Sequence, residues 1–306
     1  AAVEHAGHQI RVVNLMRPEH VSRELPGTIS DFEPEAIGIS VRNIDDQNRD
    51  DPTFLLPRVK PVVDECRRLS QAPVVLGGPG YSIFPGSVLA YLEAEYGIQG
   101  QGEWAMPLLL DRIRAREPVG DIPGLILPDG LSGPRPEQSR SLDDSPLPRP
   151  GKHLLVPGDV NPKQLWVPFQ TRMGCPMQCS YCSTPAIEGR TMRYQSPELV
   201  VDNLEAYAAA GYRRFFFVDN VFNLPSGYAE TICQVIQEAN LDISWQAIVY
   251  PQHLSPRLVE KMARAGCTHV SLGFESGSSK MLAGLNKRFT PKDVREANAL
   301  FRQAGI

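Results

Sequence analysis

Along the first third of the chain, short apolar runs alternate with longer segments whose apolar positions recur at helical spacing. "AAVEHAG" reads as a helix end stopped by Gly7, and "QIRVVNLM" as a strand. "EAIGISV" (Glu35 to Val41) reads as a buried strand, and "FLLPRVKPVVDECRRLS" as mostly helix. Strand "PVVLGGPG" then runs into a glycine turn, followed by helix "SVLAYLEAEY", a short strand and turn in "GIQGQGE", and helix "AMPLLLDRIRAR". Alternation of this kind predicts an α/β domain over residues 1–116 with a parallel, doubly wound, Rossmann-like sheet. The pattern opens in a helix with no strand before it. The first strand is therefore expected to be missing, with a central position of the sheet empty.

Residues 117–164 break the pattern. Eight prolines fall between Glu117 and Pro150, with "GLILPDG" between them as a hairpin strand, so a proline-rich linker is expected here. A second, clearer alternation fills residues 165–306. Strands "LWVPFQT", "RRFFFVDN", "ISWQAIVY" and "THVSLGFES" are separated by helices "SPELVVDNLEAYAAAG", "SGYAETICQVIQEAN" and "SPRLVEKMARAG", and "TPKDVREANALFRQAG" follows. Ser196 and Ser255 stand before Pro-containing first turns, while Gly211, Gly266 and Gly305 follow helix ends, as caps do. A partial (β/α) barrel is predicted. It stops at Ile306 where a further strand is due, so both ends of the sequence read as cut.

Composition narrows the class. The 306 residues carry 31 basic and 35 acidic side chains, a net charge of −4, with no Lys/Arg-rich run. Nothing in that balance asks for nucleic acid or an anionic membrane. No apolar stretch approaches the roughly 18–20 residues needed to cross a bilayer, and the N-terminus lacks a signal-peptide pattern. A soluble, cytoplasmic protein is expected, in a reducing setting where clustered cysteines favour metal over disulfide.

Three of the six cysteines, Cys175, Cys179 and Cys182, fall within eight positions of "TRMGCPMQCSYCSTPAIEGR". They occupy one loop after a barrel strand, at the C-terminal face where barrel enzymes carry their chemistry. Zinc would need a fourth ligand, and no further cysteine or histidine stands within twenty residues on either side; His153 lies just beyond. Three buried, unligated thiols would leave Pro176, Gln178 and Ser180 between them unexplained. An iron–sulfur cluster with one iron open to substrate fits three ligands better. Cys66, Cys233 and Cys267 are read as core or surface thiols.

With Tyr181 before the last cysteine, this loop and the following barrel resemble the radical S-adenosylmethionine (SAM) enzymes over Leu165 to Ile306. The resemblance implies a [4Fe–4S] cluster on Cys175, Cys179 and Cys182, whose unique iron chelates SAM and drives its reductive cleavage to a 5′-deoxyadenosyl radical. It assigns SAM contacts to Tyr181, to Asp219 and Asn220 at the second strand end, and to Glu275 and Ser276 at the fourth. The family's Gly-Gly-Glu at the second strand end is "VDN" here, so Asp219 is open to a second reading as a helix cap. Gln246, inside the third strand, reads either as pointing into the barrel or as a buried glutamine satisfied by backbone, and Arg190 and Arg193 either as holding a carboxylate or as solvated surface charges.

The order of turns in residues 1–116 resembles the cobalamin-binding domain that precedes many radical SAM cores: "AGHQIRVVN", Ser40 at a strand end, "VVLGGPGYS", then "GQGEW". What that implies is a corrin site on Ser40, Arg42, Asn43, Gly77, Gly78, Gly100, Gly102 and Glu103, at the carboxyl ends of the strands where open α/β sheets bind ligands. The combined expectation is a cobalamin-dependent radical SAM methyltransferase acting on an unactivated carbon. Its partners would be a small-molecule substrate and an electron donor such as flavodoxin or ferredoxin. Radical ring contraction or cyclisation is the alternative within the family, and a non-catalytic metal-binding module the alternative outside it. No catalytic residue is assigned.

Overall fold

The computed structural model describes residues 1–15, 18–48, 50–130, 132–134, 141–148, 150 and 161–306. The chain divides into two compact units: Ala1–Ser139 with Ala186–Glu188, and Arg140–Pro185 with Gly189–Ile306. No helix among the described residues is long and apolar enough to cross a membrane.

The first unit is built on a sheet of β1 (Ile37–Ser40), β2 (Val74–Gly77), β3 (Tyr96–Ile98) and β4 (Leu125–Ile126), in that spatial order. β1 and β2 are parallel, with Ile37 opposite Val74 and Ser40 opposite Gly77, and β3 continues parallel beyond β2. Val74 and Leu76 point into one apolar cluster with Val63, Cys66 and Leu92, while Val75 joins a second with Ile98 and Leu109 on the other face. Both faces of β2 are thereby covered, which is why it is apolar without alternation. The preceding and crossover helices are α1 (Ala2–His5), α2 (Pro18–Arg23), α3 (Leu25–Phe32) and α4 (Leu56–Leu69), followed by α5 (Pro79–Ile83), α6 (Pro85–Leu92) and α7 (Gly102–Ala115).

Two expectations change in this unit. "GLILPDG" does carry the strand read there, with an antiparallel bridge from Ile126 to Ser132, but not in a free linker: its strand β4 pairs antiparallel with β3, Leu125 opposite Ile98, and Leu125 is fully buried in the second cluster. "QIRVVNLM" forms no strand over residues 9–15. The outer edge of β1 has no strand partner among the described residues, and a cavity of about 930 Å³ lies between Ile37–Ile39 and residues 9–13. Without a neighbour to exchange backbone hydrogen bonds, an apolar, β-prone segment has no ladder to join.

The second unit carries four parallel strands in the order β10 (Cys267–Leu272), β9 (Ser244–Val249), β8 (Arg214–Phe217), β5 (Trp166–Phe169). A two-stranded antiparallel ribbon, β6 (Arg172–Met173) with β7 (Arg193–Tyr194), brackets the cysteine loop. Val167, Phe169, Phe215, Phe217, Trp245 and Ala247 face the helix layer and are buried. That layer comprises α9 (Pro197–Ala209), α10 (Ser226–Glu238), α11 (Pro256–Arg264) and α13 (Pro291–Gln303). Short helices α8 (Thr184–Ile187) and α12 (Ser279–Gly284) follow the cysteine loop and β10. On the opposite face of the sheet, the register lines up Pro168, Phe216, Gln246 and His269 in one row. Gln246 is only partly buried there, on the face away from the helices, which favours the reading that it points into the barrel over that of a buried glutamine. The parallel strand–helix alternation is thus realised as four successive parallel strands with helices on one side, the arrangement of a partial barrel.

Candidate active site

All four strands of the second unit end at the same edge, and the cysteine loop starts from it. Its entry is fixed by a buried network. Asp219, fully buried two residues past β8, accepts from the Thr171 backbone N–H at 2.7 Å, the Thr171 hydroxyl at 2.6 Å and the Arg172 N–H at 3.1 Å. The Arg172 guanidinium lies 3.2 Å from the same carboxylate and donates to the carbonyls of Phe222 and Leu224 at 2.7 and 2.8 Å. It also packs against the rings of Phe222 and Tyr228. Burial pushes the Asp219 carboxyl up, against the pull of Arg172 and the Thr171 donors. Both carboxylate oxygens are thus engaged by the chain, which sets the expected SAM contact at Asp219 aside: it is an anchor for the residues that lead into the cysteines, and not a cap of a helix either.

Gly174 makes the turn that follows. Its φ is +85°, and a Cβ there would lie 2.1 Å from the Thr191 carbonyl oxygen, so only glycine passes between Met173 and Cys175. Cys175 donates its N–H to the Gly189 carbonyl and sits in a small apolar cluster with Val221, Tyr250, Leu282 and Phe289, against which Met177 packs. Cys175 is buried, Cys179 partly buried and Cys182 exposed. Their graded burial presents three thiols from one loop across its inner to outer side.

The far side of the loop is tied to a segment more than a hundred residues later. Ser180 donates its N–H to the Leu285 carbonyl at 3.2 Å, and Asn286 Nδ2 donates to the Gln178 carbonyl at 2.7 Å. Tyr181 donates its hydroxyl to Glu275 Oε1 at 2.6 Å. Lys287, whose side chain is 6% exposed, reaches the same oxygen at 3.4 Å, and its ammonium lies 5.3 Å from the Tyr181 ring centre. Glu275 has a left-handed backbone, φ +62°, a conformation a glutamate adopts only when its surroundings impose it. The Tyr181 hydrogen bond, and behind it Lys287, hold the Glu275 carboxyl below the usual carboxylate range despite some burial. Desolvation and the Glu275 contact push the Tyr181 hydroxyl up to about 12.

The structure therefore brings Tyr181 and Glu275 together with the three cysteines. Asn220 Oδ1 accepts from the Thr184 hydroxyl at 3.1 Å, beside the loop's exit. Ser276 accepts the Ser278 N–H at 3.1 Å, a local turn before α12. Arg190 is exposed, and His153, weighed as a distant zinc ligand, lies outside the described residues. Among the described residues no group of three His, Cys, Asp or Glu side chains converges as ligands of a single metal ion. Sequence reasoning missed Thr171, Arg172, Asn286 and Lys287: none stands in a motif, and the last two meet the loop only through the fold.

In the first unit, the strand-end residues singled out by sequence also share one edge. Ser40 and Gly77 are register partners, the Val41 N–H donates to the Gly77 carbonyl, and the Gly80 N–H to the Val41 carbonyl. Gly78, with φ +95°, approaches Ser40 so closely that a Cβ would stand 2.7 Å from its hydroxyl oxygen. Buried Ser82, unforeseen from sequence, joins the two later turns by accepting the Gly100 N–H at 2.9 Å and donating to the Gly78 carbonyl at 2.9 Å. Ser40, Arg42 and Asn43 are exposed along this edge, and Gly102 faces open space. One oxygen of Glu103, Oε2, is buried with no hydrogen-bond partner.

Comparison with known proteins agrees with the second unit's geometry. Residues 171–306 match the profile of the Radical SAM superfamily. The chain is 25% identical over 309 residues to an uncharacterized methyltransferase of Pyrococcus horikoshii, covering 98% of this chain and 64% of that protein. It is likewise 25% identical to the tryptophan 2-C-methyltransferase of Streptomyces laurentii, covering 92% of this chain and 57% of the relative. The chain thus spans about three fifths of these relatives' length. A solved structure of the radical SAM methyltransferase TsrM from Kitasatospora setae, with cobalamin and a [4Fe–4S] cluster bound, superposes with a TM-score of 0.87. That match covers 100% of this chain and 63% of that one at 23% identity, a likeness of fold. The similarity to the radical SAM superfamily thus lies in residues 171–306, from the cysteine loop onward.

Proposed function

We propose that the chain is the cobalamin-binding and radical SAM portion of an enzyme that transfers a methyl group from SAM to an unactivated carbon of a small molecule. The observation that carries the radical SAM part is the joining of the cysteine loop to the end of β10 by the Tyr181–Glu275 bond, which sets three thiols beside a fixed carboxylate. When bound, the cluster on Cys175, Cys179 and Cys182 supplies the electron that cleaves SAM, and cobalamin supplies a carrier for its methyl group. The chain's own residues position and desolvate. Asp219 and Arg172 set the loop's entry, Gly174 its turn, and Tyr181 orients Glu275 to accept hydrogen bonds from the SAM ribose. Asn220 and Ser276, on the same edge, complete the SAM contacts. A reduced flavodoxin or ferredoxin would deliver the electron.

Support for cobalamin lies in the first unit's strand-end edge and in the relatives. Gly78 is needed for the chain's own close packing, so the fit rests on exposed Ser40, Arg42 and Asn43, on the open space at Gly102, and on the unpartnered oxygen of Glu103. Gly77 and Gly100 complete that edge. Four outcomes separate the readings. Anaerobic reconstitution with iron, sulfide, SAM and a reductant gives cluster absorption and 5′-deoxyadenosine if the superfamily chemistry is present. Tight zinc binding without SAM cleavage would establish the non-catalytic module instead. With methyl-labelled SAM, cobalamin and substrate, label in the product requires methyl transfer; cobalamin-dependent turnover without label would point to ring contraction or cyclisation.

A further inference from the structure

Lys287 is a cation enclosed next to the cysteine loop that neither the sequence motifs nor the proposed reaction uses. It follows Asn286, which has a left-handed backbone (φ +56°) and grips the Gln178 carbonyl just before Cys179. The ammonium is 3.3 Å from the Gly273 carbonyl and 3.4 Å from Glu275, and faces the rings of Tyr181 at 5.3 Å and Phe289 at 5.8 Å. A lysine that is 6% exposed sheds most of its hydration, which is tolerable only because a carboxylate, a carbonyl and two aromatic faces replace it. The partners also hold it charged: burial works against the ammonium, but the Tyr181 phenol and the Glu275 carboxylate favour the protonated form. Its position is over-determined, since both its backbone neighbour and its side chain contact the stretch Gln178–Tyr181.

We propose that Lys287 is a positioning and tuning residue that raises the reduction potential of the cluster held by Cys175, Cys179 and Cys182; the inference rests on the radical SAM reading above. Reduction adds one negative charge to the cluster. A fixed cation in a poorly solvated position stabilises that charge more than a mobile surface lysine does, because solvent screens it less. Glu275 works in the opposite sense. It is more exposed than Lys287, at 39% of its side chain, so its field is better screened and the lysine dominates at the loop.

The test is the cluster midpoint potential, read by a redox titration followed by electron paramagnetic resonance on the anaerobically reconstituted 306-residue chain. Lys287→Met is expected to shift the midpoint to lower potential, Lys287→Arg to leave it near the parent value, and Glu275→Gln to shift it upward. Opposite signs for the two neutralising variants are the signature of charge, since a loosened loop would move both the same way. An unchanged midpoint in Lys287→Met, or shifts of one sign in Lys287→Met and Glu275→Gln, overturns the proposal. Should Lys287→Met fail to hold iron, the Lys287→Arg and Glu275→Gln pair decides: a midpoint in Glu275→Gln at or below the parent value rejects it. A parent chain that assembles no cluster would reject the radical SAM reading itself, and this inference with it.

Discussion

Tyr181 and Glu275, ninety-four positions apart, share a 2.6 Å hydrogen bond that joins the cysteine loop to the end of β10. The bond orients a carboxylate whose backbone is already held in the left-handed region. Tyr181→Phe keeps the ring over which Lys287 sits and removes only the donor. Iron loading is expected to stay intact. Under the proposed role of Glu275, affinity for SAM should fall about tenfold, the worth of roughly 1.5 kcal/mol for a hydrogen bond to a charged group. Equilibrium binding of SAM to the reconstituted variant measures this; unchanged affinity would separate the Tyr181–Glu275 bond from SAM recognition.

The same pair makes a prediction in pH. The Glu275 carboxyl is held lower in the fold than in the unfolded chain, chiefly by Tyr181. Its stabilising contribution is therefore complete above the ordinary glutamate range near pH 4.3 and is lost as pH falls through the lower folded value. Protection of the Ser180–Cys182 amides from hydrogen exchange should weaken on that acid limb in the parent chain. In Glu275→Gln, which has no carboxyl to protonate, the limb should be absent.

The six thiols should part into two sets. Cys175→Ala, Cys179→Ala and Cys182→Ala each leave two thiolates, too few to hold a cube, and are expected to abolish iron loading. Cys66→Ala, Cys233→Ala and Cys267→Ala should load iron normally. Burial pushes the Cys66 thiol up to about 11, the Cys233 thiol up to about 12, and the Cys267 thiol higher than an ordinary cysteine. All three stay protonated near neutral pH and react slowly. Alkylation of the iron-free chain at pH 8, read by peptide mass mapping, should label exposed Cys182 first and leave Cys233 and Cys267 for last.

Local chemistry made much of this molecule legible. Val74–Gly77 is apolar because both its faces are covered, Phe215 and Phe217 because the helix layer covers them, and that pattern survives in a single sequence. The cysteine spacing lies within one loop, so the site's centre was visible too. "QIRVVNLM" failed because strand propensity is not pairing: a cavity separates its residues from the unpaired edge of β1. The strand in "GLILPDG" was legible, but its proline and glycine surroundings placed it in a linker and hid its antiparallel partner in β3. Asp219 was misassigned because a carboxylate at a strand end looks the same in sequence whether a ligand or the backbone of Thr171 and Arg172 engages it. Lys287 was invisible because its partners are Tyr181 and Glu275, brought near only by the closure of β10 and α12 onto the loop.

Asp219 tests the distinction between anchor and ligand. Asp219→Asn preserves its volume and can keep an oxygen on the N–H groups of Thr171 and Arg172, but leaves Arg172 buried without a counter-charge and turns an NH2 toward its guanidinium and the Thr171 hydroxyl. Removing one partner of a buried pair costs about 3–5 kcal/mol. Urea unfolding followed through buried Trp245 should show a loss of that order, with iron loading reduced alongside. Asn220→Ala, one residue on and only partly buried, should cost less than about 1 kcal/mol by the same measure, as surface-type substitutions do. A stable Asp219→Asn with weakened SAM binding would return the residue to the ligand site.

Gly174 and Gly211 together separate backbone strain from steric exclusion. Both have positive φ, +85° and +94°, so an alanine at either position carries a left-handed backbone cost of about 1 kcal/mol or slightly more. At Gly211, after α9, a Cβ would meet nothing within 4 Å. At Gly174 it would meet the Thr191 carbonyl oxygen at 2.1 Å, closer than any real contact, and both atoms belong to backbone that cannot swing aside. Thr191 leads into β7, which pairs with β6 immediately before Gly174, so relief requires prising that ribbon apart. Gly211→Ala is expected to load iron like the parent with a slightly lower unfolding midpoint. Gly174→Ala should displace Cys175 from its place against Val221 and Leu282 and lose most bound iron, even where circular dichroism shows its helices intact. Normal iron content in Gly174→Ala would mean that the loop tolerates a different entry than the one Asp219, Arg172 and Gly174 define.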